Sequence, residues 1–471
     1  MAMGIVAGLD SSAEYTRIVV CDADTGAVVK QGYAEHPAER DDPQSWLMSL
    51  GKAASTGQLA DVRAIGVSAQ QQGLLTLDST GTPVGPALLG NDKRMQTAAA
   101  DLGEALGGRE AWAQAVGAVP QAAHPVSKLR WLARNEPEAA QRVAEVMQPH
   151  DWLVWQLLGR PEQRTTDRGD ASGTGYWSAA TETYRPDLVE LALGHQVRLP
   201  DVIGPAATAG HTPEGLLISA GTGETMAAAF GLGVGIGDAV VSLGASGSVF
   251  AVHHEALTDP TGTITSFADA TGMHLPVVRT LNAVRVLRGT AEMLGTDLDG
   301  LSELALKSTP GASGMVLLPY LEGERTPDLP HTAGSLHGLR REACGRNIWH
   351  GPASKACCAA WPTPWTSCGT AASRCGGCSC WARRPTCPPY RRRHPACSAR
   401  RSWSRSPPTT RPSARPARPP GPSPAAAPPA WPAAECQVFD AGETGDDAAV
   451  GQAVRQQFVT VREQTHPGAF A

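Results

Sequence analysis

No run of 18 apolar residues occurs in this 471-residue chain, so the sequence offers no membrane-spanning helix. Neither sign of charge dominates. The 40 Lys and Arg stand against 45 Asp and Glu, a formal net charge of -5, and this gives no electrostatic reason to expect nucleic acid or an anionic membrane as partner. No basic, then apolar, leader precedes the first strand-like run after Met1-Ala2-Met3-Gly4, so the chain reads as cytoplasmic. Cysteine is nearly missing outside one window. Of 11 cysteines, Cys21, Cys344 and Cys436 are scattered, and the other eight lie between Cys357 and Cys397. Cys375, Cys378 and Cys380 have no second knuckle at finger-like spacing and only His394 as a nearby His, so the cluster does not read as zinc-binding.

What is present changes character at Asn347. Before it, apolar runs alternate with Gly-rich turns and helical patterns. Ile5–Leu9 is a short apolar run ending in Asp10-Ser11-Ser12, and Arg17–Asp22 is a second strand before the turn Asp24-Thr25-Gly26, which together predict a hairpin. Ser45–Lys52 has helical spacing, Val62–Val67 is a strand, and Ala111–Leu132 and Glu136–Leu157 carry helical patterns. Ser219–Gly223 is a small-residue turn that leads through Glu224 into a helix. Ala239–Leu243 is a strand followed by the turn Gly244–Ser248. Intermixed strands, hairpins and helices predict an α/β class with more than one sheet. Two strand–turn units, Gly8–Ser12 and Gly244–Ser248, could each present backbone N–H groups to an anion, because glycine allows close approach; steric needs of tight turns explain the same residues.

In order along residues 4 to 343, several strings resemble the FGGY carbohydrate kinases. Ala7-Gly8-Leu9-Asp10-Ser11-Ser12 is similar to the family's first phosphate loop, Val241–Ser248 to its second, and Tyr320-Leu321-Glu322-Gly323-Glu324-Arg325-Thr326-Pro327 to its second signature. Asn91–Arg94, Pro149-His150-Asp151 and Thr166–Thr174 also resemble family segments, the last being closest to the members that phosphorylate xylulose. The resemblance implies two actin-like (ribonuclease H-like) α/β domains around a cleft, the second incomplete as printed. The expected division is 1–235, 236–347, the anomalous 348–427, and a family-like tail 428–471. It implies phosphoryl transfer from ATP with Mg2+ to a sugar hydroxyl, D-xylulose first, with a carboxylate taking the proton. Kinases of another ketose or polyol, such as ribulose or glycerol, and a catalytically dead sugar-binding protein are the alternatives. Sugar and ATP are the expected partners, without nucleic acid or membrane, and a homodimer is an assembly open to the chain.

The same resemblance implies the site residues. Glu224 stands where the family carries an Asp, and is the candidate base. A Glu there also favours the helix dipole without any catalysis, and a methylene of extra reach, about 1 Å, can cost about a hundredfold in rate. Asp10 is the second catalytic candidate and would meet the metal through bound water. A turn-forming Asp at a strand end is the bland reading of the same residue. Gln71 and Gln72 take the sugar-contacting positions, with Gln72 in place of the family's His; an amide both donates and accepts but cannot become cationic. Asn91 and Asp92 complete the sugar side. Ser11, Ser12, Arg17, Gly244, Ala245 and Ser246 would hold the ATP phosphates, with Ala13 and Arg17 where the family has Thr and Lys.

Residues 348–427 read best as displaced codons. Shifted by two bases, Ile348–Trp365, Arg374–Trp381 and Arg411–Ser423 can encode, in order, an amphipathic helix, a buried strand and a late helix resembling those of the family. A frame change near Asn347–Ile348, restored between about Pro424 and Pro428, accounts for the Cys and Trp load that a disordered Pro/Ala/Arg linker does not. As printed, the Pro density forbids helices and central strands, predicts an insoluble or inactive chain, and leaves Gly323–Pro327 little to pack on.

Overall fold

The computed structural model describes residues 4–55, 57–90, 92–244, 246–307, 312–327, 329, 331–340, 456 and 458–466, and the backbone of 377–382. The remaining expectations for 348–427 and 428–471, and those for Asn91 and Ala245, lie outside the described residues.

The first sheet is built from β1 (Ile5–Ser11), β2 (Tyr15–Asp22), β3 (Val28–Glu35), β4 (Val62–Ala69), β5 (Thr208–His211), β6 (Leu217–Ser219) and β7 (Thr222–Gly223). Its order is β5-β6-β4-β1-β2-β3, with β7 also on β4. β1 runs antiparallel to β2 and parallel to β4. Period two decides its faces. Ala7, Leu9 and Ser11 are buried, while Val6, Gly8 and Asp10 keep some exposure, and Val6–Asp10 run along a cleft. Helix α1 (Pro43–Ala54) starts where Asp42 accepts from Gln44 N and Pro43 fills the first turn, a favourable N-cap and N1 pair. It buries Trp46, Leu50 and Ala53 against β2 and β3.

The helical patterns over Ala111–Leu132 fall on two helices. Arg109–Val116 ends at Gly117, whose φ of 72° is a left-handed cap, and α2 (Pro125–Asn135) restarts at a proline. Glu136–Leu157 divides likewise, into Pro137–Arg142, a strand Glu145–Met147, and α3 (Pro149–Leu157). Pro149 cannot continue a helix from upstream but can begin one. Arg168–Ser172 forms a short helix, α4, capped by Asp167.

Helix α5 (Glu224–Gly231) follows β7 directly. The second sheet holds β8 (Asp238–Leu243), β9 (Gly247–Ala251), β10 (Thr265–Ala268), β11 (His274–Thr280) and, at its edge, β12 (Gly377–Ala382), in the order β10-β11-β9-β8-β12. β8 is antiparallel to β9 and parallel to β12, repeating the pattern of β2-β1-β4. Met226 and Ala229 of α5 join Val240, Phe250, Phe267, Leu275 and Val277 in the core of this second sheet. β12 lies within the anomalous stretch, in a window without proline and at a sheet edge, where unpaired backbone is tolerated.

The expectation that Gly323–Pro327 has little to pack on is wrong. Glu324 accepts from Thr280 Oγ1 (2.6 Å), Leu281 N (2.6 Å) and Asn282 Nδ2 (3.0 Å). Phe458, in the helical segment 458–465, packs with Val316, Leu318 and Tyr320, and His466 lies against the Tyr320 ring at 5.6 Å. The second signature is therefore seated on the end of β11 and on residues near the carboxyl terminus. Among the described residues no helix is long and apolar enough to cross a membrane.

Candidate active site

Register brings the acidic candidates to one end of the first sheet. Asp10 of β1 pairs with Ser68 of β4, and Ser68 pairs on its other side with Thr222 of β7. Two strand spacings, roughly 10 Å, therefore separate Asp10 from Thr222, and Glu224 begins α5 two residues beyond. Gln70, Gln71 and Gln72 leave the carboxyl end of β4 at the same level, the position where parallel strands present ligand sites. The cleft there has a volume of about 2750 Å³ and is lined by Asp10, Gln71, Gln72, Asp92, Glu224, Gly244, Ser246, Arg279, Glu324 and Arg325, among others.

Gln72 holds a φ of 61°, a strained value for a residue with a Cβ. Two cations hold it. Buried Lys128 donates from Nζ to its main-chain carbonyl, and Arg279 Nη1 donates to its Oε1 at 2.8 Å. Arg279 Nη2 donates to Gln71 Oε1 at 2.8 Å and to Thr225 Oγ1 at 3.4 Å. Burial pushes the Lys128 ammonium down to about 7, against the pull of Asp92. Burial, then the charge of Arg325, lowers the Arg279 guanidinium to about 10, with Glu224 acting in the opposite direction. His124 is pushed down to about 3 by burial and by Arg325, Arg279 and Lys128. Burial would raise the Asp92 carboxyl, but hydrogen bonds and charge from Arg94 leave it below its usual range; Arg94 Nη2 donates to Asp92 Oδ2 at 2.6 Å.

The phosphate candidates divide. Gly244 and Ser246, in the β8–β9 turn, line the cleft. Ser11, Ser12 and Arg17 do not appear among its lining residues. The Ser12 hydroxyl is engaged in its own hairpin, donating to Tyr15 O and accepting from Tyr15 N. Arg17 is exposed on β2, opposite Asp10 in register. Asp10 accepts from Ser68 Oγ at 3.4 Å. Its carboxylate, at a cleft with Gly8 bare beside it, suits a hard divalent cation that takes one or two carboxylates and completes its shell with phosphate and water.

Beneath Gly221-Thr222-Gly223 lies a fully buried charged cluster. His150 Nε2 is 2.7 Å from Ala220 O. A carbonyl only accepts, so this nitrogen carries a proton. His150 Nδ1 lies 3.2 Å from both Asp151 Oδ1 and Asp170 Oδ2. Burial alone would lower this imidazole, but hydrogen bonds and charge from Asp151 and Asp170 raise it well above its ordinary value. Asp170 is raised to about 7, chiefly by burial and then by Asp167. Asp167 accepts from Thr222 Oγ1 at 2.6 Å, which ties the cluster to the turn before Glu224. Glycine is required in that turn: a Cβ on Gly223 would meet Asp170 Oδ1 at 2.4 Å, and one on Gly221 would meet His150 Nε2 at 2.4 Å.

Sequence reasoning missed Arg279 and Lys128. Arg279 left one signal, as the one full charge within the apolar strand His274–Thr280. Lys128 sits in α2 with no pattern that sets it apart from a surface lysine.

Residues 5–234 match the model for the FGGY family of carbohydrate kinases, N-terminal domain. The chain is 43% identical over 353 residues to a xylulose kinase of Streptomyces coelicolor, covering 72% of this chain and 71% of that protein. It is 42% identical over 363 residues to a xylulose kinase of Streptomyces rubiginosus, covering 73% and 72%. Among solved structures, the xylulose kinase from Bifidobacterium adolescentis superposes with a TM-score of 0.73 at 33% identity, over 83% of this chain and 87% of that one. The xylulose kinase from Rhodospirillum rubrum shares the fold with a TM-score of 0.76 at 20% identity, over 99% and 100%.

Proposed function

Because the chain belongs to the FGGY family of carbohydrate kinases, we propose that it transfers the γ-phosphoryl group of ATP to D-xylulose, giving xylulose 5-phosphate and ADP. The observation that carries this reading is the convergence, at one end of the β1–β4–β7 ladder, of Asp10, Gln71, Gln72 and the Glu224 turn, in a chain 43% identical to a xylulose kinase. Glu224 takes the proton of the attacking sugar hydroxyl. Gln71, Gln72 and Asp92 orient the sugar. Gly244 and Ser246 of the β8–β9 turn face the phosphates, and Asp10 is the carboxylate that would hold Mg2+. The ion, when present, neutralises charge on the phosphate oxygens. Charge and positioning supply most of the rate in such transfers. Residues 1–235 and 236–347 act as the two actin-like domains of this cleft, and the displaced frame over 348–425 remains our reading of the printed second half.

ADP release coupled to a dehydrogenase, with D-xylulose, ribulose and glycerol as acceptors, tests the reading. D-xylulose should be the best acceptor. Glu224→Ala should lose at least a thousandfold in kcat, and Glu224→Asp should retain measurable turnover. Sugar binding without ADP release in the wild type would sink the kinase reading and leave a sugar-binding protein.

A further inference from the structure

We propose that Arg279 is a specificity-determining residue of the sugar site, which it biases toward keto sugars over alditols. The inference rests on the proposed phosphorylation of D-xylulose and names the feature of the sugar that is read.

Arg279 reaches from β11 of the second sheet to the loop after β4 of the first. Its guanidinium lies over the Phe267 ring at 5.1 Å and lines the cleft. A guanidinium has only donors, so the atoms facing it on Gln71 and Gln72 are the carbonyl oxygens. That fixes both amides. Gln71 Nε2 lies 2.9 Å from Met226 Sδ, a weak acceptor, which leaves its second N–H for a ligand. A carbonyl already bound to a cation is a poorer acceptor for anything else, and its N–H a better donor, because linked hydrogen bonds polarise one another. Lys128 takes the Gln72 main-chain carbonyl as well. The wall made by Gln71, Gln72 and Arg279 therefore offers donors.

A ketone oxygen accepts and has no hydrogen to place, so it satisfies such a wall directly. The hydroxyl of the matching alditol must direct its own hydrogen elsewhere. The hydroxyl oxygen still accepts from the wall, but the hydrogen it brings finds no acceptor there, and a buried donor without an acceptor costs binding. Without Arg279, either amide can turn over and present its carbonyl, and the bias goes.

The test compares D-xylulose with xylitol and D-arabitol, its two reduction products, in the wild type, R279M and R279K. The wild type should prefer the ketose. R279M should lose about tenfold to a hundredfold in kcat/KM for D-xylulose, keep its KM for ATP, and narrow the ketose-to-alditol ratio by about tenfold. R279K, with one point of charge, should fall between. An unchanged ratio in R279M, with all acceptors weakened alike, would make Arg279 a tie between the two sheets and overturn the proposal. Titration of intrinsic tryptophan fluorescence with the same three sugars needs no turnover. If the wild type phosphorylates nothing, the xylulose kinase reading fails, while the Kd ratio and its collapse in R279M still decide the role of Arg279. Equal wild-type affinity for ketose and alditol overturns it.

Discussion

In the first sheet β1 lies between its hairpin partner β2 and the parallel strand β4, and β6 and β5 extend the sheet beyond β4. In the second, β8 lies between β9 and the parallel strand β12, and beyond β12 no further strand pairs among the described residues. The two share a plan, but their cores differ. The first buries Trp46 against Trp152, ring centroids 5.9 Å apart and edge to face, with Leu50, Leu153, Ile65 and Val67 around them. The second rests on Val240, Phe250, Leu275 and Val277, and borrows Met226 and Ala229 from the helix that carries Glu224. The candidate base thus sits at the start of a helix whose turn is fixed by one sheet and whose body is packed by the other. A change in the second core should be felt at Glu224 without any contact to it.

Core truncation should show that asymmetry with the largest effect. Trp46→Ala removes a fully buried ring and the hydrogen bond from its Nε1 to Arg40 O, and should cost about 3–5 kcal/mol. Phe250→Ala, at 2% exposure, should cost a similar or smaller amount. The two should differ in what unfolds. Hydrogen exchange should show Trp46→Ala lowering protection throughout β1–β4, and Phe250→Ala lowering it in β8–β11 and α5 while β1–β4 stay protected. Equal loss everywhere in both variants would mean one cooperative unit and would break the comparison.

The second-largest effect separates the Glu224 turn from both cores. Asp170 is raised to about 7 in the folded chain, against roughly 3.9 unfolded. A carboxyl raised on folding favours the protonated native state. Its contribution is full below about pH 4, is lost as pH rises toward 7, and is absent above. Asp170→Asn has no such group. Its stability relative to wild type should therefore climb between about pH 4 and 7, by on the order of 4 kcal/mol, and then level off. Thermal melts of both proteins at pH 5, 6, 7 and 8 read this directly. A constant offset across that range would mean that Asp170 titrates normally and that the cluster under Thr222 is not held as described.

How much of this was legible in sequence follows from how local each feature is. β1, β4 and β8 announced themselves as short apolar runs ending in turn residues. Glu224, Gln71 and Gln72 were found by likeness of short strings, and register then placed them at one level. The helical patterns mark where helices lie but not where they break, at Gly117 and before Pro149. The role of Arg279 depends on residues more than 200 positions away, and the His150–Asp170 pairing joins two helices. Neither leaves a local trace beyond one cation in an apolar strand.

The smallest effect probes the least legible part of the second sheet. β12 pairs in parallel with β8, Val240 opposite Ser379 and Val241 opposite Cys380. In an edge strand, adjacent residues send their N–H groups alternately toward the neighbouring strand and toward solvent. Proline removes the N–H and fixes φ at a value an edge strand accepts. Ser379→Pro and Cys380→Pro should therefore behave differently. One loses a ladder bond and should cost about 1 kcal/mol, seen as faster exchange at Val240–Leu243; the other should be close to neutral. Two neutral variants would remove β12 from the sheet, leaving β8 as its edge and the second sheet without the counterpart of β4. An unequal pair would show that the printed residues Gly377–Ala382, whatever frame surrounds them, complete the repeated plan of a first strand held between a hairpin partner and a parallel neighbour.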